Sequence, residues 1–196
     1  MSMKQPSITV ITPTIGRASL RTMLEQLGPQ LGEGDECLVL GDGPQPAAGH
    51  IVAGIANPRV QYIEHPEVRN WGNPQRNAAI TRAKGDLLMF VDDDDQVLRD
   101  GVETIRRIGA EHPGRPLMFR IRHMESLIWR TPVVEYANVS GQMFIAPNVP
   151  TRVGRWSDAY GADFDYITST LALYSEGANA LVWREEITTI QGLAPR

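Results

Sequence analysis

The sequence predicts a single α/β domain with a mostly parallel central sheet and helices on both faces. Three observations carry that reading. Short apolar, β-branched runs alternate with amphipathic helical patterns through the first half of the chain. The runs are apolar on both faces, as strands covered on two sides must be. The 196 residues, 42% hydrophobic and 21% charged, have the length and composition of one globular domain.

Residues 7–12 (Ser-Ile-Thr-Val-Ile-Thr), closed by Pro13, form the first expected strand. Leu20, Met23, Leu24 and Leu27 follow at helical spacing, with Ser19 available as N-cap. Residues 37–40 make a second strand ending in the turn Gly41-Asp42-Gly43-Pro44, and residues 60–63 make a third. Asn73-Pro74 opens a helix expected to reach Ala83, with Gly85 as its stop. Residues 87–91 run as an apolar strand into four aspartates, and a helix covers residues 102–110. The second half is more mixed: strands over 117–122 and 142–146, a helix over 162–174, and a strand or hairpin arm over 180–190.

Composition narrows the function. Nineteen Lys+Arg against 23 Asp+Glu leave a net charge of −4, which argues against a dedicated nucleic-acid or anionic-membrane binder. Cys37 is the only cysteine, so neither a disulfide framework nor a cysteine zinc site is available, and its apolar neighbours mark it as core. Residues 1–6 carry no apolar signal region, and no window approaches ~20 apolar residues, so a cytoplasmic protein is expected. Gly32-Glu33-Gly34-Asp35 precedes its strand and lacks the third glycine of a dinucleotide fingerprint; no Walker or Gly-x-Ser-x-Gly pattern exists. His50, His65, His112 and His123 show no ligand spacing and read as surface or satisfied side chains. Arg99, Arg106 and Arg107 read as solvated partners of Asp100 and Glu103, while Trp129 and Trp156 suit either an acceptor face or the core.

Ligands of open parallel sheets bind beyond the carboxyl ends of the strands. Three such ends carry chemistry here: Pro13-Thr14-Ile15-Gly16-Arg17, then Asp42 between two glycines, then Asp92-Asp93-Asp94-Asp95. Alternate side chains of an extended backbone share a face, so Asp92 and Asp94 point one way and Asp93 and Asp95 the other. Adjacent carboxylates repel unless something compensates them. A divalent cation held by one or two of them and completed by ligand phosphates does so; a solvated, helix-capping turn is the plainer alternative.

These segments together resemble the GT-A nucleotide-sugar glycosyltransferases of the family 2 type. The resemblance rests on Ile8-Thr9-Val10-Ile11-Thr12-Pro13-Thr14, Val39-Leu40-Gly41-Asp42-Gly43, Arg76-Asn77-Ala78-Ala79-Ile80 and the Phe90-Val91-Asp92-Asp93-Asp94-Asp95 run, in that order. It spans residues 7–95 and implies a single GT-A domain over 1–196, with 7–95 as nucleotide-binding half and 96–196 as acceptor and catalytic-base half. On that likeness Pro13, Thr14 and Arg17 belong to the nucleotide site, with Pro13 and Thr14 packing on base and ribose. Asp42 accepts a hydrogen bond from the base N–H; Gly41 stands where the family has a further Asp. Arg76 lies near base and phosphates, Asp94 and Asp92 serve the metal, and Asp92 or Asp93 lies near the ribose. Asp95 caps the following helix.

Residues 156–166 (Trp-Ser-Asp-Ala-Tyr-Gly-Ala-Asp-Phe-Asp-Tyr) resemble the family's later acidic segment, which makes Asp163 the candidate base, with Asp165 its competitor and Asp158 third. A helix N-terminus should favour the ionised form of Asp163. The implied reaction moves a sugar from a nucleotide diphosphate donor, UDP or dTDP favoured and GDP second, to an acceptor hydroxyl with inversion. Mn²⁺ or Mg²⁺ is the expected cofactor, and loops near 66–73 and 147–161 are expected to close over the donor. A non-catalytic nucleotide-sugar binder and a sugar nucleotidyltransferase are the rival readings.

Overall fold

A computed structural model describes residues 5–123 and 125–192. Four parallel strands form one side of the sheet: β1 (Ile8–Thr14), β2 (Glu36–Asp42), β3 (Val60–His65) and β4 (Leu87–Phe90). The other side is built from β5 (Gln96–Val97), β6 (Leu117–His123), β7 (Ser126–Ile128), β8 (Phe144–Pro147) and β9 (Val182–Gln191). The spatial order is β3-β2-β1-β4-β8-β6-β9-β5, with β7 on the side of β6. Strand β8 runs antiparallel to both β4 and β6, and so joins the parallel half to the mixed half. Strands β6 and β9 are parallel, so their carboxyl ends emerge together, with His123 opposite Gln191.

Helices α1 (Ser19–Leu27), α2 (Pro46–Ile55) and α4 (Gly101–Glu111) cover one face; α3 (Asn73–Ile80) and α5 (Ala162–Leu171) cover the other. The alternation along β1 and β2 divides the core. Ile8, Val10, Cys37 and Val39 join Leu20, Met23, Leu24 and Leu27 in one cluster, while Ile11, Leu38 and Leu40 join Phe90, Tyr166 and Ile167 in the second. Truncating a fully buried leucine such as Leu24 to alanine should cost ~2–5 kcal/mol. The Cys37 thiol lies wholly inside the first cluster, where burial pushes its pKa up to about 12, so it is a core group and not a nucleophile.

Several local expectations are corrected. Ser19 is the first residue of α1 and not its cap; the capping position is Ala18, with no side-chain cap bond. Helix α3 ends at Ile80, where Thr81 turns the chain out, and α5 ends at Leu171. The strand expected from residue 142 begins at Phe144, because Gly141–Met143 forms a tight 3₁₀ turn. Helix α2 and the short strands β5 and β7 had no strong periodic signal. Arg106 is not solvated: it is largely buried and pairs with buried Asp35 at 2.5 Å as well as with Glu103.

Candidate active site

The carboxyl ends of β1, β2 and β4 open into a cavity of about 530 Å³ that includes Pro13, Thr14, Arg17, Asp42 and the four aspartates. A second cavity of about 580 Å³ adjoins it and holds Gln142, Tyr136, Tyr160 and Asp163. Trp71, Arg76, Asp92, His123 and Gln191 line both, and so form the neck between them.

The acidic loop alternates in the structure. Asp92 and Asp94 are partly open, whereas Asp93 and Asp95 are buried. Asp93 accepts hydrogen bonds from Thr14 Oγ1 (2.6 Å) and Arg17 Nη1 (2.6 Å). Burial still raises its pKa, although both partners oppose the shift. Asp95 accepts the N–H of Asp92 (3.1 Å) and of Gly192 (3.1 Å). Burial and the neighbouring Asp92 charge hold its carboxyl well above the usual range. The expected helix cap is therefore absent: Asp100 occupies the capping position of α4, and Asp95 instead ties the acidic loop to the end of β9. Asp92 pairs with the Arg76 guanidinium and accepts from Gln142 Nε2 at 2.8 Å. Asp94 pairs with Arg17 at 3.3 Å. Arg17, Arg76 and backbone N–H groups thus offset much of the like-charge repulsion.

Asp42 is buried and well partnered. Its Oδ1 accepts from the Val68 N–H (2.7 Å) and Gln75 Nε2 (2.7 Å), and its Oδ2 from the Arg69 N–H (2.9 Å). Oδ2 has capacity for a further donor, since each carboxylate oxygen takes about two, and Asp42 lines the first cavity. Arg76 Nη1 donates to the Trp71 carbonyl (2.7 Å), so Asp42 and Arg76 together pin the 66–72 loop. Gly41 has a packing reason: a Cβ there would lie 2.7 Å from the Tyr62 hydroxyl, which accepts the Gln45 N–H, and 2.7 Å from the Gly43 carbonyl. Tyr62 thus takes the space a second aspartate side chain would need.

Asp163 stands in the first turn of α5, entered through Gly161 at φ +83°. Its carboxylate accepts the Phe164 N–H (2.9 Å) and faces the Gly141 N–H and the Arg76 charge. Desolvation outweighs these, and the pKa is raised. The expectation that the helix end would dominate is therefore corrected: burial is the larger effect. Asp165 points elsewhere. It is exposed, accepts from Ser157 Oγ (2.6 Å) and does not line the cavity, while exposed Asp158 accepts from Asn70 (3.1 Å). That contact and the edge-on Trp71–Tyr160 pair (5.8 Å) join the 66–72 loop to the 157–161 segment across the cleft.

Sequence reasoning missed His123 and Gln191, which reach the neck only because β6 and β9 run parallel. It also missed Gln142, Trp71, Tyr136 and Tyr160. Trp129 is core, beneath the Arg120 guanidinium (4.3 Å) and against Trp183; Trp156 is buried between Arg76 (4.5 Å) and Tyr166 (5.1 Å). The exposed rings are instead Trp71, Tyr136 and Tyr160. Among the described residues no three His, Cys, Asp or Glu side chains form a ready metal cage. The donor set fits a hard divalent cation that takes one open carboxylate, Asp94, and completes its shell with ligand phosphates and water.

A parallel half-sheet with an acidic loop at its carboxyl edge, joined to a mixed half against which helix α5 places a half-buried acid, has the mixed α/β fold of the GT-A glycosyltransferases. The family model described as Glycosyl transferase family 2 matches residues 9–113, more than half of the chain, and the chain belongs to that family. Glycosyltransferase GlyA of Streptococcus pneumoniae serotype 4 (strain ATCC BAA-334 / TIGR4) is 33% identical over 109 residues, 54% of this chain and 15% of that protein. The structure of S. aureus TarS 1-349 superposes with a TM-score of 0.75 at 17% identity, covering 94% of this chain and 60% of that one. Mannosyltransferase PcManGT from Pyrobaculum calidifontis, in complex with GDP-Man and Mn²⁺, gives 0.73 at 19% identity over 98% of this chain and 59% of that one. The chain thus spans less than two thirds of each of these relatives.

Proposed function

We propose that this chain transfers a sugar from a nucleoside diphosphate donor to an acceptor hydroxyl, with inversion, across the neck between the two cavities. The observation that carries the reading is the pairing of an acidic loop on one side of the neck with a half-buried, pKa-raised Asp163 on the other. The first cavity takes the nucleotide: Pro13 and Thr14 beside base and ribose, Asp42 Oδ2 accepting a base N–H, Arg17 and Arg76 near the phosphates. UDP or dTDP suits Asp42 because their pyrimidines carry N3–H; GDP is second, through guanine N1–H. S. aureus TarS 1-349 in complex with UDP-GlcNAc and PcManGT in complex with GDP-Man are consistent with either. In this division residues 7–95 bind donor and residues 96–196 supply acceptor contacts and base.

The acceptor oxygen attacks C1 of the donor sugar as the C1–O bond to the β-phosphate breaks, and the electron pair leaves with the diphosphate. The acceptor proton passes to Asp163, whose raised pKa brings it nearer the operating pH of a general base. Mn²⁺ or Mg²⁺ at Asp94, with Asp92 alongside, would supply charge neutralisation of the departing diphosphate. Arg76 holds Asp92 in place. Closure of the 66–72 and 147–161 segments would exclude water, and thereby favour transfer over hydrolysis. Among the described residues no helix is long and apolar enough to cross a membrane; a cytoplasmic enzyme remains our reading.

The test is a thermal-shift panel of UDP, dTDP, GDP and CDP, and their sugars, with and without Mn²⁺. At 100 times Kd a ligand should add ~2.7 kcal/mol. Stabilisation by UDP or GDP with Mn²⁺, followed by release of nucleoside diphosphate from the sugar form, supports transfer. Indifference to every nucleotide rules it out.

A further inference from the structure

The turn Gly141–Met143 bonds to one acid of the neck and packs against α5, the helix that carries the other. Gln142 is buried, and its Nε2 donates to Asp92 Oδ2 at 2.8 Å. Gln142 and Asp163 line the same cavity. The turn has little freedom. Met143 and Phe144 are fully buried, Phe144 packs on Tyr166 at 5.8 Å, and the Met143 N–H closes the turn on the Ser140 carbonyl at 3.2 Å. At Gly141 a Cβ would lie 2.4 Å from Trp156 Cη2, so the backbone sits directly against that ring. The same Trp156 stacks on Tyr166 of α5, the helix carrying Asp163, and supports the Arg76 guanidinium that pairs with Asp92.

We propose that Gln142 is a positioning residue that acts through Asp92, and that its turn sets the spacing between Asp92 and Asp163. The inference rests on the glycosyl-transfer reading and deepens it. A carboxylate paired with Arg76 alone can swing about that guanidinium; a second donor, on Oδ2, fixes its plane. The residue must be a donor, long enough to cross from the turn and uncharged. Glutamine meets all three conditions, whereas glutamate would repel Asp92 and methionine would fill the space without donating. Because the turn that holds Asp92 also packs against the helix carrying Asp163, a shift of the donor-side carboxylate relative to the base is suppressed. Such distances matter, since misplacement of about 1 Å can cost ~10²-fold in rate.

The experiment is a double-mutant cycle between Gln142→Met and Asp92→Asn, read as release of nucleoside diphosphate from UDP- or GDP-sugar, with the melting temperature of each variant. Gln142→Met in the parent should lower kcat ~10–100-fold, as outer-shell losses typically do. The same substitution in the Asp92→Asn background should cost little more than Asp92→Asn alone. Equal losses in both backgrounds, or no loss in the parent, would overturn the assignment, because a merely structural glutamine acts whatever stands at 92. Should Gln142→Met fold poorly, Gln142→Asn keeps the amide one methylene short; its smaller loss should likewise vanish beside Asp92→Asn. A parent protein that neither binds nor consumes any nucleoside diphosphate sugar would instead sink the transfer reading itself. A parent that turns over, with an additive cycle, sinks only this inference.

Discussion

The two halves of the sheet divide the labour unequally. In the parallel half each strand ends in a loop whose polar side chains are tied into the cavity they line: Asp42 to the 66–72 loop, Thr14 and Arg17 to Asp93. In the mixed half the polar groups arrive from far apart in sequence, Gln142 from a turn, Asp163 from a helix, His123 and Gln191 from paired strand ends. A parallel sheet places consecutive loops at one edge by topology alone. A mixed sheet does so only through its crossings, so its contribution to a site is less local and more dependent on packing.

The largest expected effect separates the halves by chemistry. Asp163→Asn should lower transfer by roughly 10²–10⁴ while the protein stays folded. Its folded pKa is raised, so the stabilising contribution of the protonated form is present below the unfolded value of ~3.9 and is lost as pH rises through the folded value. At neutral pH Asp163→Asn is accordingly at least as stable as the parent. The same shift should move the acid limb of the parent kcat profile upward from where a free aspartate would put it, with the rate falling as pH drops through it. Asp165→Asn, on an exposed carboxylate away from the cavity, should transfer near normally; a collapse there with normal Asp163→Asn would move the base two residues along.

Next come two tests of packing. Gly141→Ala forces a methyl group into Trp156 and should cost ~1–3 kcal/mol, seen as several degrees of melting temperature. Asp42→Asn puts an amide N–H against donors and should cost ~1–3 kcal/mol by leaving the Val68 or Arg69 N–H unsatisfied. A neutral outcome for Asp42→Asn would mean that the 66–72 loop is not held as described. The smallest effect is selection of the base. UDP should stabilise the parent more than CDP does, because cytosine N3 lacks the hydrogen that Asp42 Oδ2 would accept; a preference for CDP would rule that contact out.

Legibility followed the same divide. The apolar runs of β1, β2 and β4 and the 20/23/24/27 stripe of α1 all appear in the core where periodicity put them, because there one face of each element decides its structure. The loop acids at 42 and 92–95 were visible as carboxylates at strand ends. Their partners were not: nothing local says that Thr14 answers Asp93 or that Gln142 answers Asp92, contacts separated by 79 and 50 residues. Ser19 failed as a cap because the chain enters α1 already helical at Ala18. Asp163 was readable only through its resemblance to an acidic segment, and its raised pKa depends on burial that no spacing reveals. His123 was discounted for lack of ligand spacing, a criterion blind to a strand pair that delivers its end residues to one neck.

The account turns on donor binding in one half and proton acceptance in the other. The direct measurement is donor affinity and transfer rate on the same preparations of Asp94→Asn and Asp163→Asn, using UDP- and GDP-sugars with Mn²⁺. Asp94→Asn should lose metal-dependent donor binding, whereas Asp163→Asn should bind donor within a few-fold of the parent and fail to transfer. Unchanged affinity of Asp94→Asn in excess chelator, or equal loss of binding in both variants, would contradict the division of labour.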